Sequence, residues 1–118
     1  MAEHNDLGKL GEDLAVVWLE DNGFEILFRN WRSKHHEIDI LAVKKDILHI
    51  IEVKTRRSDR YGFPESSVTK KKFRYLKNAV HEFLFQHPHY KWIQYDVLSI
   101  IIWDNQEPEF VLLKDVFI

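Results

Sequence analysis

The chain has 118 residues, 45% of them hydrophobic, and no cysteine. That is enough for one core and too little for two ordinary domains, so a single domain over residues 1–118 is expected, and neither a disulfide framework nor a thiolate zinc site is available. The formal net charge is −2, which alone argues against a nucleic-acid partner, but its distribution does not. From Lys54 to Lys77 nine bases face two acids, a net +7 that leaves −9 elsewhere, and segregation of this kind is the footprint of phosphate-backbone binding. The opening residues carry no basic, apolar leader. No apolar run approaches the roughly 20 residues of a membrane span, so a cytoplasmic location without membrane contact is expected.

Residues 6 to 21 have a helical period, with Leu7, Leu10, Leu14, Val17 and Trp18 on one stripe and Gly23 as the stop. Lys9, Asp13 and Glu20 cluster on the solvent side. Glu12 does not join them, because its helical neighbours are Gly8, Ala15, Val16 and Leu19, which makes it a candidate acidic group at the rim of a packed face. Phe24 to Trp31 reads as a first strand, and residues 32 to 36 as a polar connection whose His35 and His36 stay outside any site.

Ile38 to Val43 and Ile47 to Val53 are apolar and β-branched around the polar break Lys44-Lys45-Asp46, the pattern of a hairpin. Pairing 44 with 47 and counting outward sets Leu41 opposite Ile50, Asp39 opposite Glu52 and Glu37 opposite Lys54. Directly opposed like charges are destabilising, and a bound hard cation removes the conflict, since Mg²⁺ is held by one or two carboxylates with phosphate oxygens and water. Lys54 then stands where it can orient water or steady charge on a phosphate. From the hairpin alone, a surface patch with Glu37 and Lys54 as a plain cross-strand ion pair explains the pattern as well.

A loop follows, from Thr55 to Ser67, containing Gly62 and Pro64 and long enough to suggest function or mobility. A second helix starts near residues 67–69, with Thr69 as a candidate cap, and runs to about Gln86 on a stripe of Phe73, Leu76, Val80, Phe83 and Leu84. Lys70, Lys71, Lys72 and Arg74 crowd its first turns, where the helix dipole disfavours cations and a docked anion would balance them. His87 and His89 lack the further ligands zinc needs. Trp92 to Trp103 is a long strand interrupted by Asp96, with a capping or ion-pairing role as its plain reading, and Glu109 to Leu113 is a last strand. The order is αβββαββ, an α/β chain whose second helix crosses between parallel neighbours.

Glu12, Asp39 and Glu52-Val53-Lys54 together resemble the PD-(D/E)xK nuclease superfamily and look like the acidic set and lysine of archaeal Holliday junction resolvases. More closely, the chain resembles the YraN family of small bacterial proteins. The residues carrying this likeness are Gly11-Glu12, Arg29-Asn30-Trp31-Arg32, Glu37-Ile38-Asp39, Glu52-Val53-Lys54-Thr55-Arg56, Gly62, Val68, Lys72, Leu76 and Tyr95-Asp96-Val97. The usual Gly, Gln and Arg of the family are replaced here by His36, Phe73 and Gln94.

The resemblance implies a restriction-endonuclease-like fold, a central mixed sheet flanked by two helices. It also implies an endonuclease dependent on Mg²⁺ or Mn²⁺ and acting on DNA, branched or junction DNA among its candidate substrates, with a homodimer as in the resolvases. Asp39 and Glu52 would bind metal, Glu12 would complete or support the site, and Lys54 would activate water or stabilise charge. Arg56, Arg57, Lys70, Lys71, Lys72 and Arg74 would hold the backbone. A non-catalytic nucleic-acid-binding module is the alternative, and a protein-interaction domain with solvated charges the third reading.

Overall fold

The structure is a computed structural model that describes residues 2–34, 36–57 and 70–116. Helix α1 (Ala2–Asp21) leads into β1 (Glu25–Ser33), β2 (His36–Lys44) and β3 (Ile47–Arg57); α2 (Lys70–Gln86) then precedes β4 (Ile93–Ile102) and β5 (Glu109–Leu113). The αβββαββ order expected from the pattern is the order found. His35, Gly62, Pro64 and the cap at 67–69 lie outside the described residues, as does the side chain of Lys70.

Gly23 ends α1 at φ 90°, a backbone state that costs glycine little. Its N–H donates to Glu20 O and that of Phe24 to Leu19 O, at 3.1 and 3.0 Å, the bond pair of a Schellman cap. Lys45 and Asp46 both take positive φ, 51° and 66°, as a two-residue hairpin turn with the correct twist demands. Lys44 therefore pairs with Ile47, and the register runs outward as counted to Leu41 with Ile50.

The five strands form one sheet in the order β1-β2-β3-β4-β5. The β3 and β4 strands are parallel from Leu48 with Ile93 to Arg57 with Ile102, which is why a helix must intervene between them. Each sheet face is covered by one helix. On one side Ala15 and Leu19 of α1 bury Ile40, Ala42, Ile51, Leu98 and Ile100; on the other, Leu76, Ala79, Val80 and Phe83 of α2 bury Ile38, Leu41, Leu48 and Ile50. Phe83 is fully buried and meets Trp31 edge-on at 5.4 Å.

The expected α2 stripe holds, with Ala79 added. The α1 stripe does not: Val17 is 57% and Leu10 42% exposed, and the buried line is Gly11, Ala15 and Leu19. Small residues won because they let the helix axis approach the sheet, leaving Leu14, Val16 and Trp18 to pack along the sides.

Candidate active site

The β2–β3 ladder stops at Ile40 with Ile51, although β2 stays paired to β1 as far as His36 and β3 to β4 as far as Arg57. The sheet thus opens as a fork between its second and third strands. The Asp39 side chain fills the gap, its Oδ2 accepting the N–H of Val53 at 2.8 Å, so that a backbone donor at the fork has an acceptor. Asp39 and Glu52 are accordingly not a ladder pair as the outward count expected. Nor are Glu37 and Lys54 an ion pair: Glu37 lies 3.6 Å from Arg32 on β1, and Lys54 Nζ lies 3.3 Å from Glu52 Oε1. Partner choice on β1 replaced the cross-strand pair because β2 and β3 diverge before reaching it.

The Asp39 pKa is raised to about 7, chiefly by burial and next by the charge of Glu52, with smaller contributions from Glu12 and Glu37 and against the lowering effect of the Val53 N–H. Carboxylates from three elements thus act on one another at the fork. Val53 packs toward α1, and side chains alternate along a strand, so Glu52 and Lys54 stand on the α2 side. Groups from both faces of the sheet meet where the strands separate.

Glu12 reaches the fork because Gly11 brings α1 hard against β3: a Cβ at Gly11 would fall 1.8 Å from Thr55 Oγ1. Glu12 Oε1 accepts from Asn30 Nδ2 at 2.7 Å and lies 3.9 Å from Arg29, while Arg29 itself pairs with Asp13 at 2.6 Å. A cleft of about 280 Å³ opens beside these groups, lined by Glu12, Asp39, Val53, Lys54 and Thr55. Among the described residues, no three His, Cys, Asp or Glu side chains are grouped so as to hold a metal by themselves.

From α2, Lys72 reaches Lys54. That contact lowers the Lys72 pKa, through hydrogen bonding and like charge, with burial lowering it further and Glu52 and Asp39 opposing. Lys72, expected to belong to the backbone-binding strip, stands beside the fork. The described remainder of the strip divides: Lys71, Arg74 and Arg57 are exposed, whereas Arg56 is half-buried, on the Lys54 side of β3 by alternation.

The model of uncharacterised protein family UPF0102 matches residues 11–100, a span that holds every group of the fork. The chain belongs to that family. A UPF0102 protein of Flavobacterium psychrophilum is 45% identical over 100 residues, covering 85% of this chain and 84% of the relative. One from Rhodococcus opacus is 39% identical over 118 residues, spanning 99% of this chain and all of the relative. One from Bacteroides thetaiotaomicron is 40% identical over 101 residues, covering 86% and 84%. The resemblance to the YraN family drawn from the motifs is therefore borne out at the level of the family.

Each of the three departures from the family's usual residues has a place. His36 packs tilted against Tyr75 at 5.7 Å. Phe73 meets Tyr95 edge-on at 5.3 Å, with Lys77 over its ring at 5.4 Å. Gln94 donates to Asp96 Oδ1 at 2.9 Å. Asp96 is fully buried and also binds His49 Nδ1 at 2.7 Å and the Asp115 N–H at 2.9 Å. Burial pushes the Asp96 pKa up, but these hydrogen bonds outweigh it and hold the group below the usual carboxylate range. The sequence signal for the His49 partnership is slight: His49 and Asp96 are polar residues within two otherwise largely apolar runs that the crossover makes neighbours.

Proposed function

We propose that the fork is the active centre of a metal-dependent endonuclease, a phosphodiester hydrolase acting on DNA. The observation carrying this reading is Asp39, whose proton affinity is raised to about pH 7 beside Glu52, with Lys54 Nζ 3.3 Å from that same Glu52. Two mutually repelling hard-oxygen donors fit Mg²⁺ or Mn²⁺, which is typically held by one or two carboxylates together with water and substrate phosphate. Such an ion, when bound, supplies Lewis acidity at the phosphate.

The residues of the chain do the rest. Asp39 and Glu52 would hold the ion, and Glu12, fixed by Asn30, would support the site from α1. Lys54 donates hydrogen bonds to charge developing on the phosphate, where preorganised donors act most strongly. Lys72 keeps a second ammonium donor beside it, and Lys71 and Arg74 hold the strand backbone.

The test is a panel of duplex, nicked, flap and four-way-junction DNA, with RNA alongside, incubated with Mg²⁺ or Mn²⁺. Metal-dependent cleavage of at least one structure is expected, lowered on the order of 10²-fold or more by Glu52→Gln and by Lys54→Ala. Binding without cleavage anywhere on the panel would instead assign the fork to a nucleic-acid-binding module.

A further inference from the structure

About 13 Å back along β3 from the fork, at the strand rise of about 3.3 Å per residue, a second cleft of about 320 Å³ opens between the end of α1, the β2–β3 turn and the ends of β4 and β5. Lys44, Lys45 and Lys114 rim it, and among the described residues no Asp or Glu lines it. Three carbonyls near the end of α1 are engaged: Asn22 N and Nδ2 donate to Trp18 O, and the N–H groups of Phe24 and Gly23 donate to Leu19 O and Glu20 O. The charged side chains lining the cleft are thus its lysines, with the buried Asp96 carboxylate behind His49 and Gln94.

Its wall is mixed polar and apolar, with Trp18, Phe24, Ile47 and Leu112 supplying the apolar part. Phe24 stands edge-on to His49 at 4.9 Å and carries Lys44 over its ring at 5.0 Å. His49 is 7% exposed, and its Nδ1 is committed to Asp96. Among the described residues no protein group hydrogen-bonds its Nε2. An oriented imidazole thus presents one nitrogen to a basic, aromatic cleft whose size matches that of ordinary small-ligand sites, about 300 to 1,000 Å³.

We propose that this cleft binds a small phosphate ester with a flat apolar body, the chemistry of a free nucleoside monophosphate, at a site separate from the fork. The lysines take the phosphate, the aromatic wall takes the ring, and His49 Nε2 makes the directional hydrogen bond.

The experiment follows amide shifts of the full chain, in chelator, during titration with the four ribonucleoside monophosphates, adenosine and inorganic phosphate. Saturable shifts at Lys45, His49, Gln94 and Lys114 are expected with at least one nucleotide, which binds at least about tenfold more tightly than adenosine or phosphate. Lys114→Gln and the double variant Lys45→Gln/Lys114→Gln, both at exposed side chains, are expected to weaken binding, the double by about tenfold or more. Glu52→Gln is expected to leave it unchanged, so failure here and failure of the nuclease reading are distinguishable. No saturable shift at millimolar nucleotide, adenosine binding as tightly as its monophosphate, or full affinity in the double variant would each overturn the proposal.

Discussion

Asp39 shows how a single carboxylate records its surroundings. The folded chain binds its proton more tightly than the unfolded chain does, with a pKa of about 7 against 3.8. The associated stability is therefore fully present below about pH 4 and declines as pH rises to about 7. In metal-free protein this predicts that Asp39→Asn, which keeps an acceptor for the Val53 N–H, lacks that decline and is more stable than the parent at pH 8 by about 1 kcal/mol or more. Mg²⁺ is expected to restore the parent by mass action and to leave the variant nearly unaffected. Thermal melts at pH 5 and pH 8, in chelator and in Mg²⁺, check both statements; a variant less stable than the parent at pH 8 would refute the repulsion at the fork. Asp96 has the opposite sign. Its depressed pKa contributes stability that is present above about pH 4 and is lost as pH falls through the folded value.

At the scale of elements, α1 is positioned by one glycine and indifferent to another. Ala at 11 would drive a Cβ into Thr55, whose Oγ1, Cβ and Cγ2 lie at 1.8, 2.8 and 2.9 Å, whereas a Cβ at Gly8 meets nothing within 4 Å. A β-branched threonine held in β3 has little freedom to withdraw. Gly11→Ala is therefore expected to cost about 1 to 3 kcal/mol through overpacking and to displace Glu12 from the fork. Gly8→Ala is expected to stabilise by up to about 1 kcal/mol through helix propensity. Denaturant melts of the two variants check the contrast, and equal effects would mean that α1 does not dock on Thr55. The Gly11 signal was present in the sequence as a Gly-x-x-x-Ala-x-x-x-Leu line, but the larger residues of the neighbouring stripe masked it.

Across the whole molecule, the −2 net charge conceals a basic end where β3 and α2 converge. If the fork works on DNA, each phosphate contact contributes about 0.7 to 0.9 to the log-log salt slope of binding. Lys71→Ala and Arg74→Ala, both at exposed positions, are expected to flatten that slope by about one contact each while leaving the metal response of the melts intact. Fluorescence anisotropy on duplex and junction DNA between low and moderate salt measures it. Unchanged slopes in both variants would reduce the strip to surface decoration. No helix among the described residues is long and apolar enough to cross a membrane, as the hydropathy pattern led one to expect.

Local pattern by itself determined the elements, their order, the hairpin turn at Lys45-Asp46 and the register that brings Asp39 and Glu52 to one end of the hairpin. Each of these depends on residues close in the chain, where strand alternation and helical period leave few alternatives. Tertiary structure alone decided what those elements do to one another. It set which line of α1 is buried, because closeness of approach outweighed residue size. It ended the β2–β3 ladder at Ile40 and Ile51 and gave Asp39 a backbone partner. It carried Lys72 across the crossover to Lys54 and joined His49 to Asp96, 47 positions apart in the chain. Contacts of that separation depend on how helices seat on the sheet, a choice made by packing over the whole core and written in no single stretch of residues.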